Sequence, residues 1–463
     1  MTLAKLSTHA RTFAVLPLIE APQHEERLPI VPPRGRPPRV HLWHIGCQMN
    51  DADREMLAER LREIGCVPDC TLEDADLVIL ITCTVRQNAE QKVYGKFREL
   101  IPWKKERPGR AIAMTGCMAV EHGENLLHQL HDLDYVFDVR DADGFFERLQ
   151  QSYRVDLDGP LPTPPSDRIS AYVSVMGGCN EMCTYCIVPF VRGRETSRPV
   201  LDIVEQVRRL VDSGVREVTL LGQNVNSYID PKDGKRLWHL LEELDGVPGL
   251  ARLRFLTSHP RNATRDLFAA MRDLPSVCEA LHLPVQAGHD ELLKRMRRVY
   301  TVAEYRERIA EAQAMIPGLA LSTDIIVGFS GETREEFEGT KALLQEVAFD
   351  VVHLQAYSVR PGTAAARRPD DIPVEEKKRR LNELLALQKE LAGRINARLC
   401  GEQVEVLLEG RGDDGRMYGR SRQNRMVWCD GVKAAQVGDI VTGTVTRTSA
   451  WQLEARVGEF VPA

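Results

Sequence analysis

A chain of 463 residues exceeds what one compact core accommodates, so two to four domains are expected. With 43% hydrophobic and 28% charged residues, the composition is that of a soluble globular protein, and no apolar run approaches the length of a bilayer span. A net charge of −6 excludes a uniformly basic nucleic-acid binder and confines any such surface to a local patch.

The leading 38 residues read as a disordered leader. Lys5 and Arg11 precede "FAVLPLI", but this run is short, contains Pro17 and lacks a small-residue cleavage site, so it is not a secretory signal. Order begins near Val40. "RVHLWHI" predicts a strand, "DREMLAERLREI" a helix, "DLVILI" a strand, "RQNAEQKVYGKFREL" a helix, "RAIAMT" a strand and "LLHQL" part of a further helix. Such alternation implies an α/β domain with a parallel sheet over residues 39–156, ended by the Pro-rich "DGPLPTPPSD".

The same alternation fills residues 165–397, with candidate strands "AYVSV", "EVTLL", "RLRFL", "ALHLPV", "ALSTDIIV" and "VVHLQAYS". Between them, "LDIVEQVRRLV" places Ile203, Val207, Leu210 and Val211 on one helical face. Six βα units are too few for a closed eight-stranded barrel and suit an open, partial (β/α)6 barrel. After the charged helix "VEEKKRRLNELLALQKELAGRI", residues 399–461 read as short β-branched strands with Gly turns, hence a small β-barrel or sandwich.

Eleven cysteines, an odd count in a large chain, disfavour a secreted disulfide framework and favour metal or redox chemistry in a reducing cytosol. Three of them, Cys179, Cys183 and Cys186 in "GGCNEMCTYC", follow the first strand of the second domain. That is the carboxyl end of the sheet, where α/β proteins place active sites. A structural zinc site needs four closed ligands, and this loop offers three thiols and no histidine. Iron–sulfur cubes are held by thiolates, and three would leave one iron open. A second trio recurs in the first domain: Cys47, Cys83 and Cys117 each lie just past a predicted strand and before a helix. Parallel strand ends share one edge, so these thiols can converge, and helix N-termini favour their thiolate forms. The remaining five, Cys66, Cys70, Cys278, Cys400 and Cys429, read as packing or free thiols.

The spacing C-x3-C-x2-C with Tyr185 before its last cysteine is the signature of radical S-adenosylmethionine (SAM) enzymes. Together with "GCQMND", "TCTVRQNAEQKV", "TGCMA", "LLGQNVNSY", "LTSHP", "LHLPVQAGHD", "STDIIVGFSGETREEF" and "YSVRPGTAA", it resembles the radical SAM methylthiotransferase family over nearly the whole chain after the leader. "GCQMN" resembles the branch that acts on tRNA. The resemblance implies two 4Fe-4S clusters, one on each cysteine trio. It implies that SAM docks on the open iron of the second and is cleaved there to a 5′-deoxyadenosyl radical. The first cluster then supplies the sulfur, and the product is 2-methylthio-N6-dimethylallyladenosine beside the anticodon, at tRNA position 37. The target is C2 of an adenine, whose unactivated C–H bond no side-chain acid or base can usefully break.

For SAM itself the candidates are Gly222, Gln223 and Asn224 at the end of the second strand, Ser258 at the third and Gln286 at the fourth. Asp324 is expected to touch ribose or line the cavity. Each of these has the alternative role of satisfying loop backbone groups. Arg192 and Arg194 in "VRGRE" are expected to neutralise cluster charge, bind a substrate phosphate or pair with Glu195.

The terminal segment resembles the TRAM domain, an RNA-binding barrel. Arg411, Arg416, Arg420, Arg422 and Arg425, with Tyr418 and Trp428, offer phosphate contacts and base stacking. "PWKKERPGR" and "KRMRR" (Lys294 to Arg298) are further basic stretches. The expected partners are tRNA and an electron donor, with no membrane, and the expected state is a cytoplasmic monomer. Within the same class, the target is alternatively another modified adenosine or a ribosomal protein. An alternative of a different class is a non-catalytic iron–sulfur RNA-binding protein.

Overall fold

The apolar run "LVILIT" becomes the middle strand of a parallel sheet, and all six of its residues are buried. This is the burial that a sheet covered on both faces requires, worth about 1.5–3 kcal/mol per large aliphatic side chain. The computed structural model describes residues 36–84, 87–152, 168–432 and 435–458. The expected leader falls outside them up to position 35, and so does the Pro-rich break.

The first segment runs β1 (Arg39–His44), α1 (Gln48–Glu63), β2 (Val67–Pro68), β3 (Leu77–Thr82), α2 (Gln87–Glu106), β4 (Ala111–Gly116), α3 (Cys117–His122), α4 (Asn125–Gln129), β5 (Tyr135–Val136) and α5 (Asp143–Ser152). Its sheet has the order β2-β1-β3-β4-β5, all parallel. One core, around Leu57, Ile79, Ile81 and Phe145, lies on one face, and a second, around Val78, Leu80, Phe97 and Met118, lies on the other.

The second segment begins with β6 (Ser170–Ser174), β7 (Met176–Gly177), α6 (Val188–Val191), β8 (Thr196–Ser197), α7 (Val200–Asp212), β9 (Glu217–Leu221), α8 (Leu237–Asp245) and β10 (Arg252–Phe255). It continues with α9 (Arg265–Asp273), β11 (Ala280–His282), α10 (Asp290–Arg295), α11 (Val302–Met315), β12 (Ala320–Val327), α12 (Arg334–Val347), β13 (Val351–Ala356) and α13 (Val374–Ala397). Parallel sheets β10-β9-β6 and β11-β12-β13 meet through a bridge from Leu253 to Val277, giving an open six-stranded half-barrel. Strand β11 is shorter than the predicted "ALHLPV" because Pro284 has no N–H to donate. The Pro284 carbonyl instead accepts from Arg298 Nη2 at 2.8 Å.

Helix α1 covers one edge of the half-barrel, with Met49 and Ala52 packed on Leu221, Tyr172 and Leu256. Charged pairs reinforce this seam: Arg192 with Asp53 at 2.6 Å, Arg168 with Glu55 at 3.0 Å and Arg360 with Glu90 at 3.3 Å.

The last segment is a closed barrel of β14 (Gln403–Arg411), β15 (Met417–Ser421), β16 (Met426–Asp430), β17 (Ile440–Thr448) and β18 (Gln452–Val457). It is fastened to the amino ends of the half-barrel strands. Arg252, first in β10, donates to the Arg420 carbonyl and pairs with Glu405 at 2.8 Å. Arg254 donates to the carbonyls of Ser421 and Arg422 at 2.8 and 2.6 Å and to Glu217 Oε2 at 2.9 Å. Both arginines and Glu217 are buried. Truncating one partner of such a pair strands the other charge. Arg254→Ala is expected to destabilise the junction by about 3–5 kcal/mol, seen as earlier proteolytic release of the terminal barrel and an earlier thermal transition.

Candidate metal centre

The first-domain cysteines converge at the carboxyl edge of their sheet. Cys47 caps the N-terminus of α1, Cys117 is the first residue of α3, and Cys83 follows β3 between them. Two glycines make this approach possible. Gly46 has φ +132, and a Cβ there would lie 2.5 Å from Cys83 Cβ and 2.9 Å from its Sγ. Gly116 has φ +91, and its Cβ would lie 2.3 Å from the Thr82 carbonyl oxygen. Any side chain at either position would push the Cys83 turn away from its neighbours. Desolvation, and then the nearby Cys117 sulfur, push the Cys47 thiol above its ordinary pKa.

A buried guanidinium completes this site. Arg192, only 6% exposed, comes from the second domain. Its Nε lies 3.3 Å from Cys117 Sγ, and its Nη2 donates to Asp53 Oδ2 at 2.6 Å and to Asn50 Oδ1 at 3.3 Å. Burial opposes the charge, but Asp53 and the Cys117 sulfur outweigh it and hold Arg192 protonated. Glu195, the alternative partner expected from sequence, accepts instead from Asn180 Nδ2 and Asn224 Nδ2, each at 3.1 Å.

The second trio lies in the loop after β7. Gly193 O accepts from Cys179 N at 3.0 Å, and Cys183 O accepts from Cys186 N at 3.1 Å. Burial pushes the Cys179 thiol up to about 11 and that of Cys186 up to about 12, with Cys183 adding to both. Such thiols are neutral at pH 7 until a metal displaces their protons. This trio also has a buried arginine. Arg298 Nη1 lies 3.4 Å from Cys183 Sγ, and its Nε donates to Tyr300 Oη at 2.7 Å. The sequence placed Arg298 in a basic stretch suited to RNA, but the structure buries it. Its neighbour Arg295 pairs with Glu336. In "PWKKERPGR", Lys104 pairs with Asp134, Arg107 with Asp76 and Arg110 with Glu106.

Of the SAM candidates, Gly222 and Asn224 lie beside this loop, Asn224 through Glu195, which also accepts from Asn180. Gly222 lies against Met176, where a Cβ would come within 2.5 Å of its Cγ. Gln223 Oε1 and Ser258 Oγ are buried without a hydrogen-bond partner, as is His259 Nε2. Buried polar atoms left without partners suit a polar ligand. Gln286 has φ +75, and its N–H donates to the Asp324 carbonyl at 2.9 Å. The Asp324 carboxylate turns elsewhere, toward His282 Nε2 at 3.5 Å. His259 was missed by sequence reasoning. Burial, then Arg298 and Arg261, push its imidazole down to about 3, so it is neutral at pH 7 and its Nε2 is available to a ligand. Its only sequence signal is its place after Ser258 in "LTSHP".

The donor chemistry fits iron–sulfur clusters: three thiols and no imidazole in each trio, with a buried cation beside each to offset cluster charge. The orphaned atoms of Gln223, Ser258 and His259 fit a bound SAM.

The five terminal arginines divide in two. Arg422 is bidentate to Glu279 and donates to the Pro275 and Val277 carbonyls, and Arg425 binds Asp350 and Asn396. These two therefore serve as fasteners to the half-barrel. The side chains of Arg411, Arg416 and Arg420 hydrogen-bond or pair within the barrel, although the Arg420 carbonyl accepts from Arg252. Arg416 lies over the Trp428 ring at 5.1 Å, and Trp428 packs against Tyr418.

Three family models match the chain: "Uncharacterized protein family UPF0004" over residues 39–138, the radical SAM superfamily over 173–344 and the TRAM domain over 397–457. The tRNA-2-methylthio-N6-dimethylallyladenosine synthase of Acetivibrio thermocellus is 43% identical over 430 residues, covering 89% of this chain and 89% of the relative. The synthase of the same name from Moorella thermoacetica is 41% identical over 90% of this chain and 97% of its own. That from Chloroflexus aurantiacus is 42% identical over 91% of each. Among solved structures, the radical SAM methyltransferase TsrM from Kitasatospora setae, with cobalamin and a 4Fe-4S cluster bound, aligns with TM-score 0.53 at 13% identity. The alignment spans 71% of this chain and 77% of that one, a likeness of fold alone. By its relatives and its three domains, this chain belongs to the radical SAM methylthiotransferase family of the tRNA-2-methylthio-N6-dimethylallyladenosine synthases.

Proposed function

We propose that this enzyme methylthiolates C2 of N6-dimethylallyladenosine at position 37 of tRNA, using two iron–sulfur clusters and SAM. The observation that carries the two-cluster reading is the pair of separate three-cysteine sites, each with its own buried arginine at a ligand sulfur. When bound, the clusters and SAM supply the radical that removes the C2 hydrogen and the methylthio group that replaces it. Cys179, Cys183 and Cys186 would hold one cluster, and Cys47, Cys83 and Cys117 the other. Arg192 ties the first domain to the segment that follows the cluster loop of the second, the arrangement a transfer from one trio to the other requires. Gln223, Ser258 and His259 orient SAM through their unpartnered polar atoms, and Asn224 is held beside them by Glu195. Arg411, Arg416 and Arg420 contact RNA phosphates, with Trp428 as a stacking surface. The names of the relatives favour this target over a ribosomal protein or another nucleoside. With no helix among the described residues long and apolar enough to cross a membrane, a cytoplasmic site of action fits this substrate.

In a strain lacking this protein and any redundant enzyme, nucleoside analysis of tRNA is expected to show the dimethylallyl nucleoside without its methylthio group. Persistence of the methylthio form would remove the proposed activity. Cys183→Ala should abolish SAM cleavage, whereas Cys83→Ala should retain some cleavage and lose sulfur insertion, each variant lacking about four irons. Equal loss of both activities in both variants would show that the sites are not separable. Gly46→Ala, by crowding Cys83, is expected to reproduce the Cys83→Ala pattern in iron content and cleavage assays. Arg416→Ala should weaken tRNA binding and lower its salt slope by about 1, while Arg422→Ala should loosen the terminal barrel, read by limited proteolysis.

A further inference from the structure

Three neighbouring strands of the half-barrel each direct one metal-ligating side chain to the same face. They are His282 of β11, Asp324 of β12 and His353 of β13. The register sets Asp324 opposite His353 and His282 opposite Ser322. Along β12 the residues Leu321, Thr323, Ile325 and Val327 are buried, while Ser322, Asp324 and Ile326 are half-buried. Along β13, Val352 and Leu354 are buried and Val351, His353 and Gln355 are exposed. The period of two thus puts Asp324 and His353 on the more accessible face of their strands, with His282 beside them buried at 7% exposure.

The geometry is that of a small ligand set. His282 Nε2 lies 3.5 Å from Asp324 Oδ1. The His282 and His353 rings stand edge to face, with centroids 5.6 Å apart. One ligand atom from each residue falls within 4.8 Å of the other two. His282 Nδ1 lies 3.0 Å from Ser322 Oγ, a contact that engages this nitrogen and fixes the ring with Nε2 toward Asp324. A hydrogen bond to the far ring nitrogen is how metal-ligating histidines are usually oriented. Among the described residues the ion-pair contact of the Asp324 carboxylate is with His282, and no lysine or arginine lies within that distance of it.

We propose that His282, Asp324 and His353 bind one divalent transition cation, with zinc as the reference ion. Two imidazoles and a carboxylate suit zinc or iron(II) and not a soft, thiolate-seeking ion. Three protein ligands leave coordination positions open, and these face away from the buried side of the sheet. They would take an oxygen or ring-nitrogen donor of a nucleotide. The site lies within the strands, whereas the cysteine trios lie in loops beyond strand ends, and it does not depend on the sulfur-transfer reading.

The test uses anaerobic holoenzyme with its full iron content, titrated with zinc chloride against a chromophoric chelator and examined by zinc-edge X-ray absorption. The expected result is one zinc per chain with a nitrogen and oxygen shell. His353→Ala, at an exposed position, and Asp324→Asn should each weaken zinc binding by at least about tenfold, with iron content and melting temperature unchanged. Wild-type protein that retains no zinc, or variants that bind it as tightly as wild type, would overturn the site while leaving the clusters untouched. A sulfur shell around the zinc would overturn it too, and would count separately against iron in the cysteine trios.

Discussion

The arrangement of the reactive end depends on one buried guanidinium. Arg192 comes from the loop of the second domain and ends between Asp53 and Cys117 of the first. Burying a charge this deeply costs several kcal/mol unless partners compensate, and removing one partner leaves the other stranded. Asp53 and the Cys117 sulfur supply that compensation only when the two domains stand in this one orientation. The apolar seam of Met49, Ala52 and Leu221 would tolerate sliding, because hydrophobic contact is non-directional. The guanidinium does not, because its fork has a fixed geometry. The placing of Cys117 beside the loop of the second domain therefore follows from Arg192 more than from the apolar seam.

Much of the fold was legible because parallel sheets write themselves as apolar runs. Every quoted strand of the first domain and the half-barrel appears, the terminal segment folds into the expected small barrel, and β11 is cut short by a proline visible in the sequence. The convergence of Cys47, Cys83 and Cys117 was legible for a topological reason: equivalent positions after parallel strands share an edge. The glycine before Cys47 and the one before Cys117 are the local signature of that convergence, since both lie where a Cβ would strike the turn of the middle cysteine's strand.

What was not legible is which charges find each other. Arg422 and Arg425 look like Arg411 and Arg416 in a list of basic residues, yet the first two close on Glu279 and Asp350 of another domain. Arg298 sat in a basic run and is buried at a thiol. Arg192 reached an aspartate 139 positions away. Pairings between distant segments leave no trace in local spacing, whereas burial, once known, decides them at once. Gln223 and Ser258 differ from Asp324 for the same reason: all are polar residues in or just beyond a strand, but Gln223 Oε1 and Ser258 Oγ are buried without a hydrogen-bond partner while the Asp324 carboxylate lies 3.5 Å from His282 Nε2.

The terminal barrel grips the half-barrel at Arg252, Glu279 and Asp350, each at or just before the start of a strand, while the cysteine loop follows the opposite ends. Between the grip and the cysteine loop lies the length of a strand, six residues in β13, or about 20 Å. The half-barrel is thus a spacer of fixed length, and the terminal barrel and the cysteine loop cannot approach one another without breaking its ladder of strand hydrogen bonds.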